Sequence, residues 1–279
     1  MPPCWSFSTA VFFIRKIYFC PPTASRMCTV TFIPRPSGFI LTHNRDEAPT
    51  RSPQTIAREK TASDTLIFPR DTRAGGAWIV ASQSGKTACL LNGAFVKHHH
   101  QPPYRRSRGL MLLDFFQWAE PERFFEEYDL EGIEPFTFLF FQLPAAIEFR
   151  WDGARRHLKR LSWEEPHFWC SATLYPADMQ ARRETVFRTW LQAHPDDQTP
   201  VNGRRSPVVN PSTLLSLHRT GSVGDPENDY IMNRGGRVRT VSITQIIFEH
   251  EIYRMRYFDL LEGYTDKRRL TASKRRPGA

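Results

Sequence analysis

The chain has 279 residues, 40% hydrophobic and 24% charged, enough for a sizeable folded core. Its net charge of +9 sits at the two ends: Arg15, Lys16 and Arg26 near the start, and Lys267, Arg268, Arg269, Lys274, Arg275 and Arg276 near the finish, with no acid among residues 1–27 or 267–279. The body between them is balanced, which argues against a nucleic-acid partner, and no apolar run reaches the roughly 18–20 residues that span a bilayer.

Residues 1–26 mix bulky apolar side chains (Phe12, Phe13, Ile17, Tyr18) with Arg15, Lys16, Arg26 and scattered Ser and Thr. Two readings fit that composition: an organellar transit segment, or a chain whose functional start is Met27. Either way, trimming at Met27 makes Cys28 the first residue. Met27–Ile33 and Phe39–Glu47 are rich in β-branched and aromatic residues and flank Pro34-Arg35-Pro36-Ser37-Gly38, so they predict a β-hairpin. A five-residue loop sets Ile33 opposite Phe39 and Cys28 opposite Asn44, with Arg45 and Asp46 one step past the end. A thiol, an amide, a guanidinium and a carboxylate would then gather at one end of the hairpin; a slip of one residue would redistribute them.

A polar connector, Ala48–Asp64, leads to a strand at Thr65–Phe68. Gly75–Ala81 and Lys86–Gly93 predict a second hairpin whose long apolar runs suit a sheet covered on both faces. Its register brings Asn92 near Gly76, where a glycine pair lets backbone approach a ligand. Ser107 can cap a helix with Leu110, Leu113 and Trp118 inward, and Pro121–Tyr128 predicts a second. Phe136–Gln142, Ile147–Trp151, His157–Leu161 and Phe168–Ser171 read as strands. Pro176–Ala193 is a long helix, with Met179, Arg183, Phe187 and Trp190 at helical spacing. A further helix is expected at Ser212–His218, capped by Ser212, then strands at Val238–Ile247 and Glu251–Phe258. From Gly263 the chain is polar and basic and is expected to be disordered. The domain reading is therefore an extension over 1–27, a single α+β domain over 28–262, and a tail over 263–279.

The five cysteines (Cys4, Cys20, Cys28, Cys89 and Cys170) are odd in number and form no C-x-x-C, so a reducing compartment is favoured. Cys89 and Cys170 lie in apolar strands and suit core packing. The run His98-His99-His100 suits a solvated loop, since three consecutive side chains cannot converge on one ion from an extended strand, and no metal or cofactor is expected. Cys28 carries the chemistry. As an N-terminal residue it would have its own α-amine as base, Arg45 to stabilise the thiolate, Asp46 to orient the ammonium and Asn92 to meet an oxyanion. The alternative is that Cys28 is a small buried hydrophobe and Asn44–Glu47 a solvated strand end.

Met27-Cys28-Thr29-Val30 followed by Asn44-Arg45-Asp46-Glu47 resembles the N-terminal signature of the NRDE family, also called the transport and Golgi organisation protein 2 family. The resemblance extends through Gly75-Gly76-Ala77-Trp78, Leu90–Gly93, Ser171–Tyr175 and Arg239-Thr240-Val241. It implies a four-layer αββα sandwich of the N-terminal-nucleophile hydrolase type, similar in layout to cysteine amidases. Cys28, Arg45, Asp46 and Asn92 match its catalytic positions; Asn44, Gly75, Gly76, Trp78 and Arg239 are candidates for binding, and Asn210 and Arg239 for second-half site residues. The resemblance also implies Golgi organisation and secretion, in the cytoplasm, at the Golgi or in mitochondria. The expected partner is a small amide or acyl substrate; a non-catalytic carrier of haem or acyl lipids is the alternative. Membrane contact, if any, is expected through the basic tail.

Overall fold

The computed structural model describes residues 27–51, 55–194, 198–201, 204–207 and 209–273; the expectations for 1–26 and for 274–279 lie outside them. In chain order the elements are β1 (Met27–Arg35), β2 (Gly38–Glu47), β3 (Ile56–Lys60), β4 (Thr65–Pro69), β5 (Ile79–Ser82), β6 (Thr87–Asn92), α1 (Arg108–Phe115), α2 (Pro121–Glu127), β7 (Phe136–Gln142), β8 (Ala145–Trp151), β9 (Arg156–Arg160) and β10 (His167–Cys170). There follow α3 (Ala177–Gln192), β11 (Gln198–Val201), β12 (Arg204–Pro207), α4 (Pro211–Thr220), β13 (Asn233–Arg234), β14 (Val238–Glu249), β15 (Ile252–Asp259) and β16 (Thr265–Thr271).

Two antiparallel sheets carry the fold. One runs β10-β1-β2-β14-β15-β16, with β13 beside β14; the other is a meander from β3 to β9. Their facing sides meet in a shared core of Val30, Phe32, Leu41, Ile67, Ile79, Leu139, Phe141, Ile246 and Tyr253. On the outside of the meander, Met111, Leu112 and Phe115 of α1 and Phe124 and Phe125 of α2 pack on Phe138 and Phe140. On the outside of the first sheet, Phe187 of α3 and Leu214 and Leu217 of α4 cover Ile33, Ile40 and Ile247. The order is helix, sheet, sheet, helix: the pattern implied an α+β chain, and the family resemblance implied this four-layer sandwich. Each fully buried Leu, Ile or Phe contributes about 1.5–3 kcal/mol, and strands apolar on both faces are stable only when both are covered.

Five expectations change. The hairpin turn is two residues, with Arg35 opposite Gly38, so the register moves by one and Cys28 pairs with Arg45 instead of Asn44. The connector after β2 contains a strand, β3, whose Ile56 is buried while its charged neighbours are not. The buried residues of α1 are Met111, Leu112 and Phe115, and Asn210, not Ser212, caps α4 by accepting from the Ser212 amide. Finally, the chain beyond Gly263 is not all tail: Thr265–Thr271 is an edge strand on β15. Alternation explains it, because Leu270 enters the shared core while Lys267 and Arg269 face solvent.

Candidate functional site

The hairpin register decides what can reach what. Residues directly opposite in an antiparallel pair share a face, and faces alternate along a strand. Cys28, Val30 and Phe32 therefore share the core side with Leu41, His43 and Arg45. Thr29, Thr31 and Ile33 share the helix side with Ile40, Thr42 and Asn44, and Asp46 alternates with them. Arg45 and Asp46, adjacent in sequence, leave β2 on opposite faces, and the four groups expected at one end are divided two and two. Asp46 stands opposite Met27.

Arg45 is 6% exposed and fully engaged. Its Nη2 donates to Asp71 Oδ2 at 2.8 Å, Glu47 Oε2 lies 3.6 Å away, and the guanidinium stacks over Trp78 at 4.0 Å. Asp71 is itself held, because Oδ1 accepts from the amides of Arg73 and Ala74 at 3.0 Å each. The loop folds back through Gly75, in the left-handed region at φ 71°, which suits glycine. A Cβ on Gly76 would lie 2.5 Å from the Gly109 carbonyl carbon, so the backbone that approaches this glycine belongs to α1. Gly75, Gly76 and Trp78 thus build the seat of Arg45.

Asp46 lives differently. It is 1% exposed, and Thr240 donates to its Oδ1 at 2.6 Å, yet Oδ2 has no hydrogen-bond partner among the described residues. Burial raises its carboxyl from 3.8 to about 6, opposed by the Thr240 bond and the charges of Arg183 and Arg234. Arg183 is a buried charge near this carboxylate whose weight the sequence reading understated. It is fully buried on α3, donates to the Thr29 hydroxyl and to the carbonyls of Asn228 and Asp229, and stacks on Tyr175 at 4.3 Å and Tyr230 at 4.9 Å. An arginine in the apolar stripe of an amphipathic helix was the signal that could have found it. Tyr175 shares this buried polar region, its hydroxyl without a partner among the described residues.

Asn44, on the helix side, donates to the carbonyls of His218 and Tyr230 at 2.9 and 2.8 Å, and its Oδ1 lies 2.7 Å from His218 Nδ1. Because an amide oxygen only accepts, His218 carries its proton on Nδ1, and its Nε2 accepts from Thr31 Oγ1 at 2.7 Å. Burial lowers this imidazole to about 3 and that of His43 to about 4, so both rings are neutral near pH 7. Asn44 ties β2 to α4.

The second-half candidates and Asn92 stand as follows. Asn92 is half-buried at the end of β6, opposite Phe136; its carbonyl accepts from Ser171 Oγ at 2.6 Å, while the Ser171 amide donates to the Cys28 carbonyl at 3.0 Å. The β5–β6 register, Ile79 with Cys89, is the one expected. Asn210 is the exposed cap of α4, and Arg239 lies half-buried in β14, opposite Glu47. Cys28 is 7% exposed, and burial, then the Asp46 charge, pushes its thiol well above the ordinary range; Arg45 offsets only part. With Met27 attached, the sulfur is a neutral thiol. Among the described residues no three His, Cys, Asp or Glu side chains stand together to hold a metal ion.

Fold and hairpin together define a class: a four-layer protein whose first core strand carries a cysteine at its second residue, opposite a stacked arginine, with a buried carboxylate on the other face. A sequence profile described as Transport and Golgi organisation 2 matches residues 27–236, and the chain belongs to that family. No curated protein sequence matches it. Among solved structures it is similar to penicillin V acylase from Agrobacterium tumefaciens, at 9% identity and TM-score 0.49, covering 86% of this chain and 85% of that one. It is also similar to a mutant conjugated bile acid hydrolase from Clostridium perfringens, at 9% identity and TM-score 0.43, covering 89% and 100%. A Caenorhabditis elegans ortholog of N-acylethanolamine-hydrolyzing acid amidase matches at 11% identity and TM-score 0.42, covering 79% and 92%.

Proposed function

We propose that this protein is an N-terminal-cysteine amidohydrolase for a small non-peptide amide or acyl conjugate, active once the chain begins at Cys28. The observation that supports this reading is the pairing of Met27 with Asp46, whose Oδ2 is buried without a hydrogen-bond partner among the described residues. In this reading, removing Met27 frees the Cys28 α-amine at the strand end that faces Asp46. An ammonium there satisfies the carboxylate and lowers the thiol, reversing the two electrostatic costs seen with Met27 in place.

The α-amine, which titrates near ~7.7–8, takes the thiol proton. The thiolate attacks the amide carbonyl carbon, the C–N bond breaks, and the proton passes to the leaving nitrogen. Water then cleaves the thioester and restores the thiol. Arg45 supplies positive charge on the sulfur's side of the sheet. Asn92, two hydrogen bonds from the Cys28 carbonyl through Ser171, is the proposed oxyanion donor; Asn92→Ala is expected to slow acylation by about 10²–10³-fold. The reading extends to the chain a cellular role in Golgi organisation and secretion exercised through this chemistry.

The test uses protein beginning at Cys28 and protein retaining Met27, each treated with an electrophilic β-lactone and mapped by mass spectrometry. One acyl adduct on Cys28 is expected in the first and none in the second. No adduct in either, or equal labelling of Asp46→Asn and unsubstituted protein, rejects the proposal.

A further inference from the structure

The outer pair of strands, β15 and β16, carries a charge arrangement that folding alone disfavours. In their register Arg254 stands opposite Arg269 and Arg256 opposite Lys267. Each pair shares a face, and because both pairs are two residues apart, all four cations share the same one. Like charges directly opposite in a sheet are destabilising. Arg254, Lys267 and Arg269 are exposed and Arg256 half-buried.

The face is the helix side of the first sheet, beyond the cover of α4. That helix packs on β2 and β14 and meets β15 at Phe258, which clusters with Leu215 and Ile243. Arg219 of α4 lies over the Phe258 ring at 4.9 Å and Arg256 over it at 5.3 Å, which adds a fifth cation to the border. Among the described residues, the acid ion-paired on this side is Glu249, bonded to Arg35 at 2.7 Å and 3.8 Å from Arg254. Asp266 points to the other side, where it holds Arg268 and the Ile56 amide. Among the described residues no carboxylate lies within ion-pair distance of Arg256, Lys267 or Arg269. In sequence, Lys274, Arg275 and Arg276 follow directly.

The geometry points to this β15–β16 face as a docking surface for an anionic phospholipid bilayer, held by the headgroup phosphates. Charge complementarity selects the partner: cations about 7 Å apart along each strand and about 5 Å across it form an open, two-dimensional lattice, suited to a surface of many phosphates. A single-stranded nucleic acid needs exposed aromatic rings for stacking, and Phe258 on this face is only 6% exposed. The surface is part of the folded domain and independent of the chemistry at Cys28.

The experiment sediments the full chain with vesicles of phosphatidylcholine alone or with about 30% phosphatidylserine, at low and high salt. Binding is expected only to the anionic vesicles and to fall with salt. Lys267→Glu/Arg269→Glu is expected to weaken it by about tenfold or more, with an unchanged or higher melting temperature, since each new carboxylate faces Arg254 or Arg256. Lys267→Gln/Arg269→Gln gives a smaller loss without new pairs. Arg155→Glu/Arg160→Glu, an equal charge change on the β9 side, and Lys274→Ser/Arg275→Ser/Arg276→Ser are each expected to retain most binding. Equal loss in the β9 control, loss confined to the 274–276 variant, or tighter binding to duplex or single-stranded RNA than to vesicles overturns the assignment.

Discussion

Arg45 and Asp46 are neighbours in sequence and opposites in circumstance. On the core side, Arg45 has a carboxylate at 2.8 Å, a second at 3.6 Å and an indole beneath it. On the helix side, Asp46 has one hydroxyl donor at 2.6 Å and an oxygen with no donor among the described residues. One face of the hairpin is built to hold a charge; the other keeps a charge waiting. Buried charges persist only when paired or when a later partner supplies the pair, which is why the difference points to the position held by Met27.

The largest way to break this contrast is Asp71→Ala. It leaves the Arg45 guanidinium buried without its closest carboxylate and frees the loop amides of Arg73 and Ala74. A loss of about 3–5 kcal/mol is expected in denaturant unfolding; a loss below about 1 kcal/mol would mean that Glu47 and Trp78 suffice. Gly76→Ala comes next, at about 1–3 kcal/mol, because its new methyl meets the α1 backbone at 2.5 Å. A variant as stable as the parent would show that this loop yields.

The two buried histidines give a pH test on either side of the same strand. Their folded values, about 4 for His43 and about 3 for His218, lie below 6.5, so the unfolded chain binds protons first. Their contribution is complete above pH 6.5 and is lost as pH falls toward 3–4. His43→Leu is expected to flatten part of that slope in melting curves taken across the window; an unchanged slope would exclude His43 as a source.

Asp46→Asn has the smallest expected effect on stability and the opposite sign. The Asp46 carboxyl is raised, so the folded state holds its proton more tightly and stability falls as pH rises from 3.8 to about 6. Removing the charge at pH 7.5 is expected to leave the fold equally or more stable while abolishing Cys28 labelling. A clear destabilisation would mean that this carboxylate serves the fold and would erase the contrast with Arg45.

Local sequence was sufficient for most elements. β-Branched and aromatic runs marked β1, β2, β6 and β7, Ser107 marked the start of α1, and the amphipathic stripe marked α3 with Arg183 in it. The clustering of Cys28, Arg45 and Asp46 near one strand end was legible because a hairpin is a local object. β16 was not: its charges read as solvated tail, and only packing of Leu270 into a core assembled from distant strands makes it a strand.

The sequence by itself determined the layers, since apolar runs with two hydrophobic faces require cover on both sides. It also determined which residues could take part at Cys28. Tertiary structure decided the rest. A two-residue turn moved the register by one, and in a strand with a period of two that single step puts Arg45, instead of Asn44 and Asp46, on the face that carries Cys28. Long-range partners then completed each face: Asp71 and Trp78 from the loop between β4 and β5 for Arg45, Thr240 for Asp46, with the charge of Arg183 from a helix opposing the rise of its carboxyl. No local pattern encodes such meetings, because they depend on elements that come together only when the two sheets close on one core.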